Sequence, residues 1–291
     1  MKVLFKILCV AIILWSCRPE PLDVKLDEYE PQVVVSSQVI PNYLMVVGLT
    51  RSFTILSSAG FNGGGGNATF ENLLIDSALV TISSLNGTDT LFKLSPGLFA
   101  SLKELAMPGG TYNLKVVDYG LGKTITANST MLQNVPLDTV IPTLNLEEEE
   151  DTSINLMISF IDPKEIENFY VLSVYSRNSN TAVLDINMFF ENGSNKLEYQ
   201  ELIKDRNSDS DTIKRAFTLK NVKTSDSLMV SLSNISEGYY SFLKSRERSG
   251  SLLSEITNEP INYPTNINGG YGYFNTHNPS FRFFDLKFLL D

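Results

Sequence analysis

Apolar residues along this chain recur mostly at alternate positions, which is the period of a half-buried β-strand. Between residues 33 and 131, short β-branched and aromatic runs stand between turn signals: Val33 to Val39, Leu44 to Leu56, Ala78 to Ser84, Thr90 to Leu94, Tyr112 to Val117 and Lys123 to Met131. That spacing predicts a β-sandwich. Asn86-Gly87 between Val80-Thr81-Ile82 and Leu91-Phe92 is a hairpin signal, and Pro108-Gly109-Gly110 marks a further reversal. Residues Gly60 to Asn67, with Gly63, Gly64, Gly65 and Gly66 in a row, predict a mobile loop. It is a plain connection first and an adaptable contact loop second.

The alternation breaks at Pro136 to Asp151, where Pro136, Pro142 and the acidic run Glu147 to Asp151 intervene. We place a domain boundary there, giving an N-terminal β-sandwich over residues 32–135 and a C-terminal β-rich domain over residues 136–291. Strands resume at Ile154 to Ile161, Phe169 to Tyr175, Val183 to Phe190, Ile213 to Leu219 and Ser227 to Leu232, and Phe281 to Leu290 is expected to close the chain as a strand. One helix is predicted, near residues 236–248, with Ser236 as N-cap and an apolar face of Tyr239, Tyr240, Phe242 and Leu243. The fold class is therefore all-β, with one helix in the second domain.

The N-terminus follows a different rule. Lys2 and Lys6 precede an apolar run, Ile7 to Trp15, and Ser16 stands before Cys17, after which Arg18 to Pro31 alternates prolines with acids. The run is too short for the roughly 20 residues that cross a bilayer, so residues 1–16 read as a cleaved leader and residues 17–31 as an extended tether. Leu14-Trp15-Ser16-Cys17 resembles a bacterial lipobox, in which the cysteine thiol is acylated before cleavage. Cys9 and Cys17 are the only cysteines, so cleavage at Cys17 leaves one, held as a thioether, and no disulfide.

Charge narrows the partners. The 291-residue chain carries 23 Lys and Arg against 33 Asp and Glu, a net charge of −10, so nothing draws it to nucleic acid. Acyl chains, not basic residues, would have to hold so acidic a protein on a membrane. Hydrophobic residues make up 43% and charged residues 19%, which excludes a wholly disordered chain.

Chemistry is sparse. His277 is the single histidine, in Asn275-Thr276-His277-Asn278-Pro279, and reads as a surface turn residue rather than a base. No G-x-S-x-G, G-x-G-x-x-G or phosphate-cradling loop is present. Asp205, Asn207, Asp209 and Asp211 alternate as calcium ligands do, yet Ser210 and Ala216 occupy the positions where an EF-hand needs Gly and Glu, so a solvated hairpin loop is the expectation. No carboxylate pair suited to glycoside hydrolysis stands out. Neither cofactor nor metal is expected, and the protein is read as a non-enzyme. Tyr271, Tyr273 and Phe274 are expected to pack in a glycine-rich strand; with Gly63 to Gly66 they are also the least ordinary stretch for partner contact. Asp76-Ser77-Ala78, Asp89-Thr90-Leu91, Asp138-Thr139-Val140, Asp211-Thr212-Ile213 and Asp226-Ser227-Leu228 resemble a bacterial O-glycosylation signal on Ser77, Thr90, Thr139, Thr212 and Ser227. A preference of strand starts for an acid, a hydroxyl and an apolar residue explains the pattern equally well.

The residues from Val230 to Ser245, Asn258-Glu259-Pro260 and Pro264 to Phe274, together with Pro31 to Val35, Asp76 to Ile82 and Pro108 to Leu114, resemble a family of Bacteroidota outer-membrane lipoproteins catalogued as a domain of unknown function. Residues Asn192 to Arg215 depart from that family's shorter, glycine-containing stretch. The resemblance implies a surface-exposed lipoprotein often encoded beside a TonB-dependent transporter, with an N-terminal immunoglobulin-like or carboxypeptidase-regulatory-like sandwich and no assigned catalytic residues. The expected function is thus a lipid-anchored binding or accessory protein of an outer-membrane transporter. The alternatives are an adhesin or envelope structural protein and, further off, a carbohydrate-active enzyme.

Overall fold

Val33, Val35 and Ser37 turn inward along the first strand, β1 (Val33–Ile40), and Met45, Val47 and Leu49 do so along the second, β2 (Leu44–Arg51). The two pair antiparallel from Val33↔Arg51 to Ile40↔Leu44. In the computed structural model, the described residues are 30–40, 44–52, 73–104, 108–146, 152–164, 166–178, 195–205, 212–223, 225–249 and 263–289. The chain divides into Met1–Glu30 and Pro31–Asp291, and every element described below belongs to the second unit. Gly63 to Gly66, the strand expected at Val183 to Phe190, the acidic run at 147–151, and Cys17 with its leader lie outside the described residues.

The chain continues through β3 (Ala78–Ser84), β4 (Gly87–Thr90), β5 (Phe92–Ser95), β6 (Leu98–Glu104), β7 (Thr111–Asp118) and β8 (Lys123–Thr130). A second series follows: β9 (Leu137–Leu146), β10 (Thr152–Ile161), β11 (Phe169–Asn178), β12 (Asn195–Lys204), β13 (Thr212–Leu219) and β14 (Asp226–Ile235). Helix α1 (Glu237–Ser249) then leads to β15 (Ile267–Asn268), β16 (Gly270–Tyr273), β17 (Ser280–Asp285) and a 3₁₀ turn at Leu286–Leu289. The protein is mostly β, with several sheets arranged as sandwiches and one described helix.

Two cores account for that arrangement. In the first, sheets ordered β16-β1-β2-β6-β5 and β15-β8-β7-β3-β4 enclose Val33, Leu49, Val80, Leu114, Ile125 and Met131. Along β7, Tyr112, Leu114 and Val116 are buried while Thr111, Asn113 and Lys115 are exposed. Each such side chain withdrawn from water contributes roughly 1.5–3 kcal/mol before chain entropy is subtracted. Both rims of this sandwich are closed by a segment that changes sheets. On one rim β4 pairs with β3, Leu91 turns into the core, and β5 pairs with β6. On the other, β15 pairs with β8, and β16 runs parallel to β1.

The second rim explains the glycines. Gly269 and Gly272 have φ of +85° and +94°. A Cβ at Gly272 would sit 1.9 Å from the Val35 carbonyl oxygen, and one at Gly270 would sit 2.5 Å from that of Val33. Only glycine lets this strand approach β1 so closely while turning through left-handed backbone.

The second core lies between a sheet ordered β13-β10-β9 and one ordered β12-β11-β14-β17. It contains Ile154, Leu156, Phe160, Tyr170, Leu172, Val230 and Leu286. Phe160 and Tyr170 meet edge to face, with ring centroids 5.0 Å apart. Its rims are joined by side chains. The Ser280 hydroxyl accepts from Leu137 N at 3.0 Å, and Arg282 donates to Leu137 O at 3.0 Å. At the opposite rim Arg215 pairs with Glu201 at 2.7 Å, and Phe217 stacks on Tyr199 with centroids 3.8 Å apart. Helix α1 covers the outer face of the four-stranded sheet, where Phe169 and Ile235 meet Leu243. Ser236 caps it as expected, its hydroxyl accepting from Tyr239 N at 3.3 Å.

Several expectations change. The stretch expected to break the β pattern, Pro136 to Asp151, contains β9, an edge strand in which Pro142 stands opposite Leu156. At an edge, a missing N–H costs no ladder bond, so proline does not end the strand there. The stretch Thr90 to Leu94 is not one strand; it bends at Leu91 between β4 and β5. The β3–β4 hairpin forms, but its turn is Leu85-Asn86, one residue earlier than expected, with Gly87 at φ +111°. The C-terminal stretch is not strand throughout: β17 ends at Asp285, whose carboxylate accepts from Lys287 N at 3.1 Å and starts the 3₁₀ turn.

Candidate functional site

Three chain segments meet at one end of the second sandwich: the C-terminal end of β10, the N-terminal end of β11 and the C-terminal end of β12. Asp162 follows β10, Tyr170 lies on β11 and Asp205 follows β12. All three are buried. The Tyr170 hydroxyl donates a short hydrogen bond to Asp162 Oδ1, and the two carboxyl groups are themselves hydrogen-bonded. Burial, reinforced by the adjacent Asp205 charge, raises the Asp162 carboxyl above the usual carboxylate range. Burial and the Asp162 carboxylate likewise raise the Tyr170 hydroxyl. Loss of solvent and the neighbouring Asp205 charge both favour the protonated form of Asp162.

Around this pair the loop is tied back. Asn168 donates to Pro163 O at 3.3 Å and Ile166 O at 3.0 Å, and its own carbonyl accepts from Asp205 N at 2.9 Å. Glu167 and Lys204 bridge outside it at 2.8 Å. Sequence pattern marks half of the pair: Asp205 opens the calcium-like alternation, while nothing local marks Asp162. Each is the first residue after its strand, a placement that acquires meaning only when β10 and β12 end on the same side. Glycoside hydrolysis places its carboxyls about 5 Å or more apart to admit a sugar, wider than hydrogen-bonded groups allow. Among the described residues no cluster of three or more His, Cys, Asp or Glu is placed to hold a metal; Asn207, Asp209 and Asp211 lie outside them.

A second concentration of unusual residues joins the two sandwiches. Tyr273 of β16 reaches α1, its ring centroid 5.3 Å from that of Tyr239 and 5.5 Å from that of Phe242. A Cβ at Gly238, in the first turn of the helix, would crowd the Tyr273 hydroxyl, so glycine there leaves room for that ring. Burial pushes the Tyr239 hydroxyl up to about 12. The chain then returns to the second sandwich through Phe274 to Ser280, all of them buried. Asn275 N donates to Ser37 Oγ at 2.7 Å, which donates back to Asn275 O; Thr276 N donates to Ser129 Oγ at 3.0 Å, and Asn134 donates to Asn278 O at 2.9 Å.

His277 corrects an expectation. It is not a surface turn residue but is 9% exposed, with Nδ1 2.9 Å from Asn275 Nδ2. Burial lowers its pKa to about 4, so it is neutral near pH 7. A polar run with an Asn-Pro turn signal ordinarily lies at the surface; here its donors and acceptors are satisfied by Ser37, Ser129 and Asn134 from strands and connections more than 100 residues away.

The partner-contact residues separate. Tyr271 is 51% exposed on β16. Tyr273 is half-buried against α1, and Phe274 lies wholly inside the first core, so neither of these rings offers an open contact surface. The hydroxyl positions also differ. Ser77, just before β3, and Thr90, at the end of β4, are exposed, whereas Thr139, Thr212 and Ser227 are half-buried near the starts of β9, β13 and β14. Thr139 donates to its neighbour Asp138 at 3.1 Å. No helix among the described residues is long and apolar enough to cross a membrane.

No curated protein matches the chain. A two-domain fibronectin type III segment of chicken tenascin is 11% identical with a TM-score of 0.23, over 70% of this chain and 91% of that one. A glycosyl hydrolase family 2 member from Bacteroides cellulosilyticus is 8% identical with a TM-score of 0.24, over 56% of this chain and 23% of that one. The model of the family described as Domain of unknown function (DUF4249) matches residues 19–280, nearly all of the chain that carries both cores and the seam between them, and the chain belongs to that family.

Proposed function

We propose that this protein is a lipid-anchored binding or accessory protein of a bacterial outer membrane, held by an acylated Cys17 and working beside a TonB-dependent transporter. The observation that carries the reading is the placement of Cys17, between an apolar leader and an acidic, proline-rich tether. The family match starts at residue 19, just after that cysteine, and is consistent with a unit that begins there. A tether of about fourteen residues reaches at most roughly 50 Å, enough to set the sandwiches against the loops of a neighbouring barrel. Tyr271 on its edge strand is the anchor side chain we assign to that contact. Cell-surface exposure and O-glycosylation at Ser77 and Thr90 belong to the same reading.

The test is fractionation and co-purification from native membranes. Cys17→Ala is expected to abolish lipid labelling and release the protein from membranes, and the native chain is expected to bring down one dominant barrel protein. Identical fractionation of the two forms overturns the anchor. Recovery of abundant membrane proteins in proportion to their abundance overturns the accessory role and leaves an adhesin or envelope structural protein in its place.

A further inference from the structure

The outer face of the β13-β10-β9 sheet is distinctive for a chain of net charge −10. Residues opposite one another in antiparallel strands share a face, so the register gives this surface row by row. Met157 of β10 stands between Ile141 of β9 and Ala216 of β13. Met157 is 54% exposed and Ile141 45%. One row further along, Ser159 stands opposite Lys214 on one side and Thr139 on the other, and donates at 3.2 Å to the carboxylate of Asp138, the extra residue beside Thr139 where the register shifts. The face therefore carries an acid at one edge strand, a base at the other, and an apolar row beside them.

We infer that this face is where a second copy of the chain docks, about a two-fold axis lying along β10. Such an axis sets β9 of one copy over β13 of the other at the same height, because β10 lies midway between them. Thr139 then comes level with Lys214 of the second copy, with the Asp138 carboxylate beside it, and the contact recurs on the other side of the axis. In the apolar row, bulky Ile141 faces small Ala216, and Met157 meets its own counterpart. Each copy thus supplies what the other needs, the condition for an isologous interface. Copies with this net charge repel one another in general, and a charge-balanced face is where that repulsion is weakest. The central rows span about 14 by 20 Å. That is well below the roughly 800 Å² per partner of a stable complex, so the pair exchanges instead of being permanent.

Facing sheets lie about 10 Å apart, beyond disulfide reach, so the test uses a short bismaleimide on cells making the full chain with Met157→Cys. A crosslinked dimer well above the baseline of the parent chain is expected. Leu102→Cys, on an exposed position of the first sandwich, should stay at baseline. Adding Asp138→Lys to Met157→Cys should lower the dimer yield about tenfold, and adding Asp138→Lys with Lys214→Asp should restore it to within about twofold. Dimer at baseline in the Met157→Cys chain, a yield indifferent to the first charge reversal, a double reversal as low as the single one, or capture of a different protein through the introduced thiol each overturns the proposal. Asp138, Met157 and Lys214 lie on the outer face and Leu102 is exposed on the first sandwich, and an unchanged melting temperature verifies that each variant folds. This result is independent of the transporter reading, which Cys17→Ala and co-purification test.

Discussion

The two sandwiches solve the same problem by different means. An open sheet rim presents unpaired backbone groups, and a protein must cover, pair or blunt it. In the first sandwich the backbone itself turns the corner, at Leu91 on one rim and at Gly269 on the other, so that each rim is bridged by a segment belonging to both sheets. In the second, the rims are linked through side chains: Ser280 and Arg282 to Leu137, and Arg215 to Glu201. Closure by backbone demands particular residues at particular places and fails if they change. Closure by side chains is divided among several modest contacts, any one of which can be lost.

The largest effect should therefore come from Gly272. Gly272→Ala adds a Cβ that overlaps the Val35 carbonyl and holds a left-handed φ, so β16 must leave β1. We expect a loss of about 3 kcal/mol or more by denaturant unfolding, with the melt of the first core separating from that of the second. A loss below about 1 kcal/mol means the rim is tolerant and the contrast between the sandwiches is wrong.

Next comes the seam through which the chain passes from one sandwich to the other. His277 has its folded pKa lowered to about 4 by burial, against about 6.5 when unfolded. The folded state binds fewer protons, so stability is full above the unfolded value and falls as pH drops through the window from about 6.5 to 4. The whole shift corresponds to roughly 3 kcal/mol. His277→Gln should flatten that stretch of the stability profile, while the wild-type profile declines steeply through it. A profile with the same slope in both proteins shows that the imidazole is not what acid opens.

The same contrast separates what is legible in the sequence from what is not. β1, β3, β7, β8, β10 and β14 are legible because their alternation and β-branched residues agree with their burial. β6 has no β-branched residue, and the Leu and Glu spacing of β12, in Lys196-Leu197-Glu198-Tyr199-Gln200-Glu201-Leu202, is as much helical as extended, so neighbouring strands decide both. The glycines of residues 269–272 announce a special backbone but not the strand they approach, since Val33 and Val35 lie more than 230 residues away. Burial of His277 and the meeting of Asp162 with Asp205 are hidden for the same reason: each depends on where distant elements end.

Smaller effects probe the side-chain rims. Ser280→Ala leaves Leu137 N without its acceptor in a buried position and should cost about 1–3 kcal/mol. Arg215→Ala, at a half-exposed ion pair, should cost about 1 kcal/mol or less. Because the two contacts share no partner, the double variant should lose the sum of the two within about 0.5 kcal/mol. Strong coupling between them would mean that the second sandwich closes as one cooperative unit instead of through independent contacts.

The smallest effect distinguishes a structural acid pair from an ordinary ion pair, and its sign is opposite to that of the seam. Asp162 has its folded pKa raised, chiefly by burial and then by the Asp205 charge. The folded state therefore binds more protons than the unfolded chain, and stability from this group is full below about 3.9 and declines as pH rises through the raised value. At neutral pH the pair carries a residual cost that Asp162→Asn removes, because the amide keeps a carbonyl to accept from Tyr170 and an N–H to offer Asp205. Asp162→Asn should leave stability at pH 7 unchanged or raise it by up to about 1 kcal/mol, whereas Asp162→Ala should lower it by about 1–3 kcal/mol, since the buried Tyr170 hydroxyl then loses its partner. The difference between the wild type and Asp162→Asn should vanish on acidification, when the carboxyl is protonated and resembles the amide. If Asp162→Asn instead destabilises at pH 7 and the deficit shrinks in acid, the carboxylate is charged and favourably paired in the native protein, and the two ends of the second sandwich obey the same electrostatics as its exposed rims.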